Sequence, residues 1–252
     1  MGLSAPVSQW NVPSSPTSLA GAVPDAADAH VDTPGDWSWA LLDTTTGKTV
    51  GSPNRDTFLN TTESMIKVWL TTDYLVTADR TGRGVTASDQ AQLQRMIHFS
   101  DDHAAQWAYL RLGGDAAVGE LIETCGLHDT VVTHNWWSKT RISAQDAVTM
   151  GRCVTDGHLL SPYWQAWLLD QMRHVDASNA FGISQAPALA EVDPAVKNGW
   201  TERAIGTSDI WAVNCLATWD HWTLAILTNY PASLGLDHGA SVCRTVTQQL
   251  FG

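Results

Sequence analysis

The sequence predicts a mixed α/β (α+β) fold: an antiparallel five-stranded sheet flanked by helices, with an all-helical lobe inserted into it. Three observations predict it. A hairpin-like pattern of two strands ends near residue 50. Helical patterning then dominates from Ser64 to about residue 190. Three successive strand-like segments and a closing helix follow. Strands, then helices, then strands again fit one sheet when the helical block is an insertion between its two halves. A ligand cleft is expected where sheet and inserted lobe meet.

Residues 1–34 hold Pro6, Pro13, Pro16, Pro24 and Pro34 among Ser and Ala, which reads as a linker or loosely attached arm with at most one short helix, near Thr17 to Val23. Residues 35–252 read as one domain, with a helical lobe at about 64–190 and a sheet lobe made of 35–63 and 191–252. Trp37 to Leu42 is strand-like, Thr46-Gly47 turns, and Thr49-Val50 returns. From Ser64 to about Ala78, Ile66, Leu70 and Tyr74 recur at helical spacing. Further helices are expected from Ser88 to Ile97, from Asp102 to Leu112 before Gly113-Gly114, and from Ala116 to Thr124 before Gly126. Ser143-x-x-Asp146 resembles a capping box with Asp in place of Glu. Another helix covers Pro162 to Arg173. "AVKNGW", "DIWAVNCLATW" and "WTLAILTNY" are the three late strands, and "GASVCRTVTQQLF" is the closing helix.

The chain has 252 residues, 44% of them apolar and 16% charged, which is enough for a large folded core. Its formal net charge of −12 argues against nucleic acid and anionic membranes as partners. No apolar run approaches the ~18 residues of a membrane-spanning helix, so no transmembrane segment is expected. No Lys or Arg precedes Lys48, so these residues hold no basic leader, and the opening fits a start after a removed signal.

Cys125, Cys153, Cys215 and Cys243 form no C-x-x-C pair and allow three pairings. Cys125–Cys153 and Cys215–Cys243 are favoured; each would close a loop of about 28 residues, contributing roughly 3–4 kcal/mol in the chain-entropy view. That reading places the protein in a secreted or cell-envelope setting. The alternative is four buried thiols in a cytosolic protein. Most of the thirteen tryptophans are expected in the core or between lobes, with a sugar- or peptide-binding face as the second reading.

Three short motifs carry the chemistry: Ser64-x-x-Lys67, Ser100-Asp101-Asp102, and Lys197-Asn198-Gly199. Each alone is weak, being a cap plus a solvated cation, an N-cap, and a turn. In this order, and on these elements, they resemble the motif set of the penicillin-recognising serine hydrolases, the superfamily of class A β-lactamases and penicillin-binding proteins. The resemblance spans about residues 35–252, with a compact interval between Ser64 and Ser100. It implies a β-lactamase/transpeptidase-like fold acting as a monomer, without cofactor or metal, on a small-molecule or peptide substrate that carries a carboxylate.

It also implies roles. Ser64 attacks a carbonyl and forms an acyl-enzyme, and Lys67, one turn away on the same face, takes the proton. A lysine can do so when burial and a second cation depress its proton affinity, and Lys197 is the candidate second cation. Ser100 relays a proton to the leaving nitrogen. Lys197 attracts the substrate carboxylate, Asn198 offers a side-chain N–H, and the backbone N–H groups of Ser64 and Trp200, next to Gly199, hold the oxyanion.

Two departures stand out. Asp102 replaces the usual Asn, and a carboxylate cannot donate to a substrate carbonyl; it is expected to pair with Lys67 instead. Class A enzymes also carry a loop glutamate that serves deacylation. The corresponding "VVTHNWWSKTRIS" has no Asp or Glu, and Asp146 reads as a cap, so poor hydrolysis of a β-lactam acyl-enzyme is expected. The alternative function is a low-turnover penicillin-binding or sensor module. Other readings carry less. The histidines of "HFSDDH" are five apart, a poor metal spacing; Asn60-Thr61-Thr62 matches a glycosylation sequon by chance; and no G-x-S-x-G supports an α/β-hydrolase. Trp136-Trp137 is either a cleft wall or a loop anchor.

Overall fold

The computed structural model describes residues 29–205 and 208–252. The short helix expected near Thr17 to Val23 lies outside the described residues. The hairpin forms as β1 (Asp36–Asp43) and β2 (Thr49–Gly51). A two-residue strand β3 (Asn60–Thr61) leads through a 3₁₀ turn, Glu63–Ile66, into α1 (Lys67–Arg80). The helical block continues with α2 (Ala87–His98), α3 (Asp102–Arg111) and α4 (Asp115–Cys125), the last closed by left-handed Gly126 at φ 65°. After a second 3₁₀ turn, Trp137–Lys139, come β4 (Arg141–Ile142), α5 (Ala144–Thr155) and α6 (Pro162–Arg173). The chain ends with β5 (Ala195–Val196), β6 (Gly199–Ile205), β7 (Ser208–Trp219), β8 (Trp222–Pro231) and α7 (Gly235–Phe251).

The main sheet runs β2-β1-β8-β7, with β5 and β6 following one another along the free edge of β7. It is therefore five strands wide and antiparallel throughout. The expected single strand "AVKNGW" is split at Lys197-Asn198 and its second part extends to Ile205. A separate two-stranded ribbon pairs β3 with β4.

Strand periodicity explains why β1, β7 and β8 are apolar almost throughout. Ala40, Leu42, Leu216, Ala225 and Leu227 face the helical block, whereas Trp39, Leu41, Val213, Cys215, Ala217, Leu224 and Ile226 face the side covered by α7. Both faces are buried, so the alternation is of direction and not of polarity. α5 packs against β1, β7 and β8 from one side and α7 against β7 and β8 from the other. Residues 29–34, placed in the arm on composition, run along α7: His30 N–H donates to Gln249 Oε1 at 2.8 Å and Gln249 Nε2 donates back to His30 O at 3.0 Å. Both favoured disulfides are present, Cys125–Cys153 and Cys215–Cys243. No described helix is long and apolar enough to cross a membrane.

Candidate active site

Asn60 is wholly buried and fixes the segment that carries Ser64 onto the sheet. Its Nδ2 donates to Asn214 Oδ1 (2.7 Å) and Thr228 O (3.0 Å), and Asn214 Nδ2 donates to Thr61 O (2.7 Å). A buried amide so engaged is no accessible glycosylation site, as expected. The chain then turns through Glu63 at φ +48°, a conformation uncommon for a residue with a Cβ. Ser64 sits in the 3₁₀ turn and not in the α-helix expected there; α1 begins at Lys67. The tighter turn keeps the pair together, because residues three apart eclipse in a 3₁₀ helix, and the Lys67 N–H donates to Ser64 O.

Gly199 explains how β6 reaches this turn. A Cβ on it would lie 2.5 Å from Thr62 O, 2.6 Å from Met65 N and 2.8 Å from Ser64 N. Only a residue without a side chain permits that approach. The glycine of the third motif is thus a spacing device that sets Trp200 beside Ser64.

Ser100 also has a positive φ, +55°, and α3 is capped by its neighbour Asp101, whose Oδ1 accepts from Ala104 N at 2.9 Å and whose Oδ2 pairs with Arg95. Ser100 Oγ accepts from Lys197 Nζ at 2.9 Å and lies 3.4 Å from Lys67 Nζ. Lys67 Nζ further donates to Ser100 O and, at 2.6 Å, to Asp102 Oδ1. Three motifs distant in sequence therefore meet at one pair of ammonium groups. No hydrogen bond joins Lys67 Nζ to Ser64 Oγ, because its three donors are directed elsewhere.

Both lysines are buried, 0% exposed for Lys67 and 1% for Lys197. Burial lowers the proton affinity of Lys67, opposed by its contact with Asp102. Lys197 is held well below the ordinary lysine value, first by burial and then by the charge of Lys67. Burial and the neighbouring cation thus lower the proton affinity of this lysine pair as a whole.

A cleft of about 540 Å³ opens over Ser64, between α3, β6 and the loop before β4. Glu63, Asp102, Trp136, Trp137, Lys139 and Trp200 are among its walls. Trp136 is 56% exposed, and Trp137 is a core residue at 6%, so the pair serves both as wall and as anchor. Lys197 is buried and is not among the residues that line this cleft. Asn198 corrects the sequence reading more sharply. Its Nδ2 donates to Asn179 O and Phe181 O, both at 2.9 Å, and it offers no side-chain N–H to a substrate. Asp146 is likewise committed, accepting from His128 N, Asp129 N and Thr130 Oγ1 at the start of the loop.

Sequence reasoning passes over two residues. Glu63 is 5% exposed, and its Oε1 accepts from Thr61 Oγ1 (2.6 Å) and from Lys139 Nζ (2.9 Å). The cleft loop thus carries a cation that pairs with a carboxylate on the Ser64 turn. A carboxylate directly before the candidate nucleophile is the available signal for Glu63; nothing local marks Lys139.

Over residues 77–249 the sequence matches the family described as the β-lactamase enzyme family. The matched stretch contains Ser100 and Lys197 and begins after Lys67. The protein LppW of Mycobacterium tuberculosis and Mycobacterium bovis, provisionally named a lipoprotein, is 28% identical over 172 residues, 65% of this chain and 53% of the relative. The chain thus spans about half the length of the curated relatives it matches. Among solved structures, the chromosome-encoded β-lactamase of Vibrio parahaemolyticus superposes with a TM-score of 0.66 at 14% identity, covering 85% of this chain and 92% of that one. A β-lactamase from Xanthomonas campestris gives 0.65 at 16% identity, covering 86% and 92%. A reconstructed ancestral class A β-lactamase gives 0.65 at 16%, covering 85% and 92%. At these identities the likeness is one of fold.

Proposed function

The chain belongs to the β-lactamase enzyme family, and from that premise we propose that it is a serine acyl-transfer enzyme, forming an acyl-enzyme on Ser64 with an amide, peptide or β-lactam-like substrate. The observation that carries this reading is the junction behind the cleft, where Lys67 and Lys197, both of lowered proton affinity, meet at Ser100. A neutral lysine there accepts the Ser64 proton, and Ser100 passes one to the departing nitrogen. Ser64 N–H and Trp200 N–H hold the oxyanion, on the spacing that Gly199 sets. A substrate carboxylate is drawn by the field of the buried lysines and not by contact with Lys197. The loop carries Lys139 and no carboxylate, so hydrolysis of a β-lactam acyl-enzyme is expected to be slower than where a loop glutamate serves. Two disulfides and a relative named a lipoprotein support a site of action outside the cytoplasm.

Intact mass measurement after incubation with a penicillin tests the reading. The expected result is a single adduct that peptide mapping places on Ser64 and that Ser64→Ala abolishes. Equal labelling of Ser64→Ala would overturn it.

The pairing of Lys67 with Asp102 favours a second reading, a penicillin-binding sensor of low turnover. Rapid, repeated hydrolysis of a small amide or ester would exclude it. Asp102→Asn separates the effects. Asp102 raises the proton affinity of Lys67, so its removal leaves Lys67 neutral over a wider range. Acylation is then expected to rise near neutrality, with the alkaline-favouring pH profile displaced toward acid. An unchanged rate and profile would show that Asp102 is not the restraint.

A further inference from the structure

The walls of the cleft include two carboxylates, Glu63 and Asp102, and they are held differently. The Asp102 side chain is 79% exposed and spends Oδ1 on Lys67. The Glu63 side chain is 6% exposed and adjoins Ser64 in sequence. Both of its hydrogen bonds fall on Oε1, so Oε2 has no partner among the described residues, yet it is not sealed from solvent. The Oε1 side is clamped twice: Thr61 Oγ1 donates to it while accepting from Arg203 Nη1 at 2.9 Å, and Lys139 reaches it from the cleft loop. The backbone holds the residue at φ +48°, where a long charged side chain is disfavoured. A fixed, shielded carboxylate with one free oxygen, next to the acylated residue, is what water activation requires.

We propose that Glu63 is the general base of deacylation, replacing the loop carboxylate that this chain lacks; the inference rests on Ser64 being the acylated residue. Water bound at Oε2 gives its proton to Glu63 as its oxygen bonds to the acyl carbon. The tetrahedral oxyanion collapses, the bond from carbon to Ser64 Oγ breaks with its electron pair on Oγ, and the proton returns from Glu63 to Oγ. Ester and water become acid and free serine, with no other reactant. Lys139 is a positioning residue that acts through Oε1.

The test is adduct decay. The protein is acylated with a penicillin, freed of excess drug, and followed by intact mass. Glu63→Gln is expected to acylate within a few-fold of the native rate and to keep its adduct about 10²-fold longer or more. Lys139→Met keeps the carboxylate and is expected to deacylate within about tenfold of native. Native-like decay in Glu63→Gln overturns the proposal, as does a native adduct that never decays. Equal slowing in Lys139→Met and Glu63→Gln shows a tether and no base. A native protein that takes no adduct on Ser64 overturns the acyl-enzyme reading itself and this proposal with it. Should Glu63→Gln not fold, Glu63→Asp keeps the charge and shortens its reach by about 1 Å; decay slowed about 10²-fold is expected, and native-like decay overturns the proposal.

Discussion

Lys197→Met is expected to melt at a higher temperature than the native protein and to be acylated about 10²- to 10⁴-fold more slowly. Lys197 is 1% exposed, and among the described residues no carboxylate pairs with it; its Nζ donates to Ser100 Oγ and Asn198 O. Keeping an ammonium group there works against burial and against the charge of Lys67. A methionine of similar length fills the space without that cost, and about 1–3 kcal/mol of stability is the expected gain. For a chain of this size each kcal/mol moves the midpoint by about 2–4 °C. The pH dependence has a definite sign. Both lysines are depressed in the folded state, so between their folded values and the ordinary ~10.4 the unfolded chain binds more protons. Native stability therefore rises with pH through that window and is lost as pH falls through the folded values. The Met variant lacks the Lys197 share of this slope. Calorimetry across pH, together with acylation rates, checks both parts. A variant less stable than native, with a native slope, would show that the buried lysine is structurally favourable.

Gly199→Ala is expected to lower stability by about 1–3 kcal/mol, as overpacking does, and to slow acylation by about 10²-fold. The added methyl would fall within 2.5–2.8 Å of three backbone atoms, Thr62 O, Met65 N and Ser64 N, none of which can swing aside like a side chain. The turn must retreat from β6, and a displacement near 1 Å at a reacting centre costs about 10²-fold in rate. Gly119→Ala is the control. It lies in α4, where an added Cβ would meet nothing within 4 Å and φ is not positive, so alanine there should stabilise the helix by about 0.5–1 kcal/mol. Equal behaviour of the two variants in thermal unfolding and acylation would show that close approach is not what Gly199 provides.

The sheet and helices are legible in the sequence because their apolar spacing is local. β1, β7 and β8 stand out as apolar runs, and α4 by its glycine stop. Ser64, Lys67, Ser100 and Lys197 are legible as a set because their residue types and order resemble the motif set of a known family. The direction of Asn198 escapes the sequence reading because its acceptors, Asn179 O and Phe181 O, lie 19 and 17 residues away and leave no local pattern. The pairing of Glu63 with Lys139 is out of reach for another reason. It joins residues 76 apart in sequence, and nothing in the local pattern around either one foretells a long-range contact. The split between β5 and β6 is hidden similarly, since it depends on how the chain is drawn toward the Ser64 turn.

The two disulfides have a mechanical consequence. Cys125–Cys153 ties the end of α4 to α5, and Cys215–Cys243 ties β7 to α7. One rivet therefore lies within the helical half, and the other joins the sheet to its rear cover. Neither crosses the seam along which the Ser64 turn meets β6. Oxidation therefore stiffens each half separately, and the close fit of the Ser64 turn against β6 is held by packing alone, with no covalent bond across it.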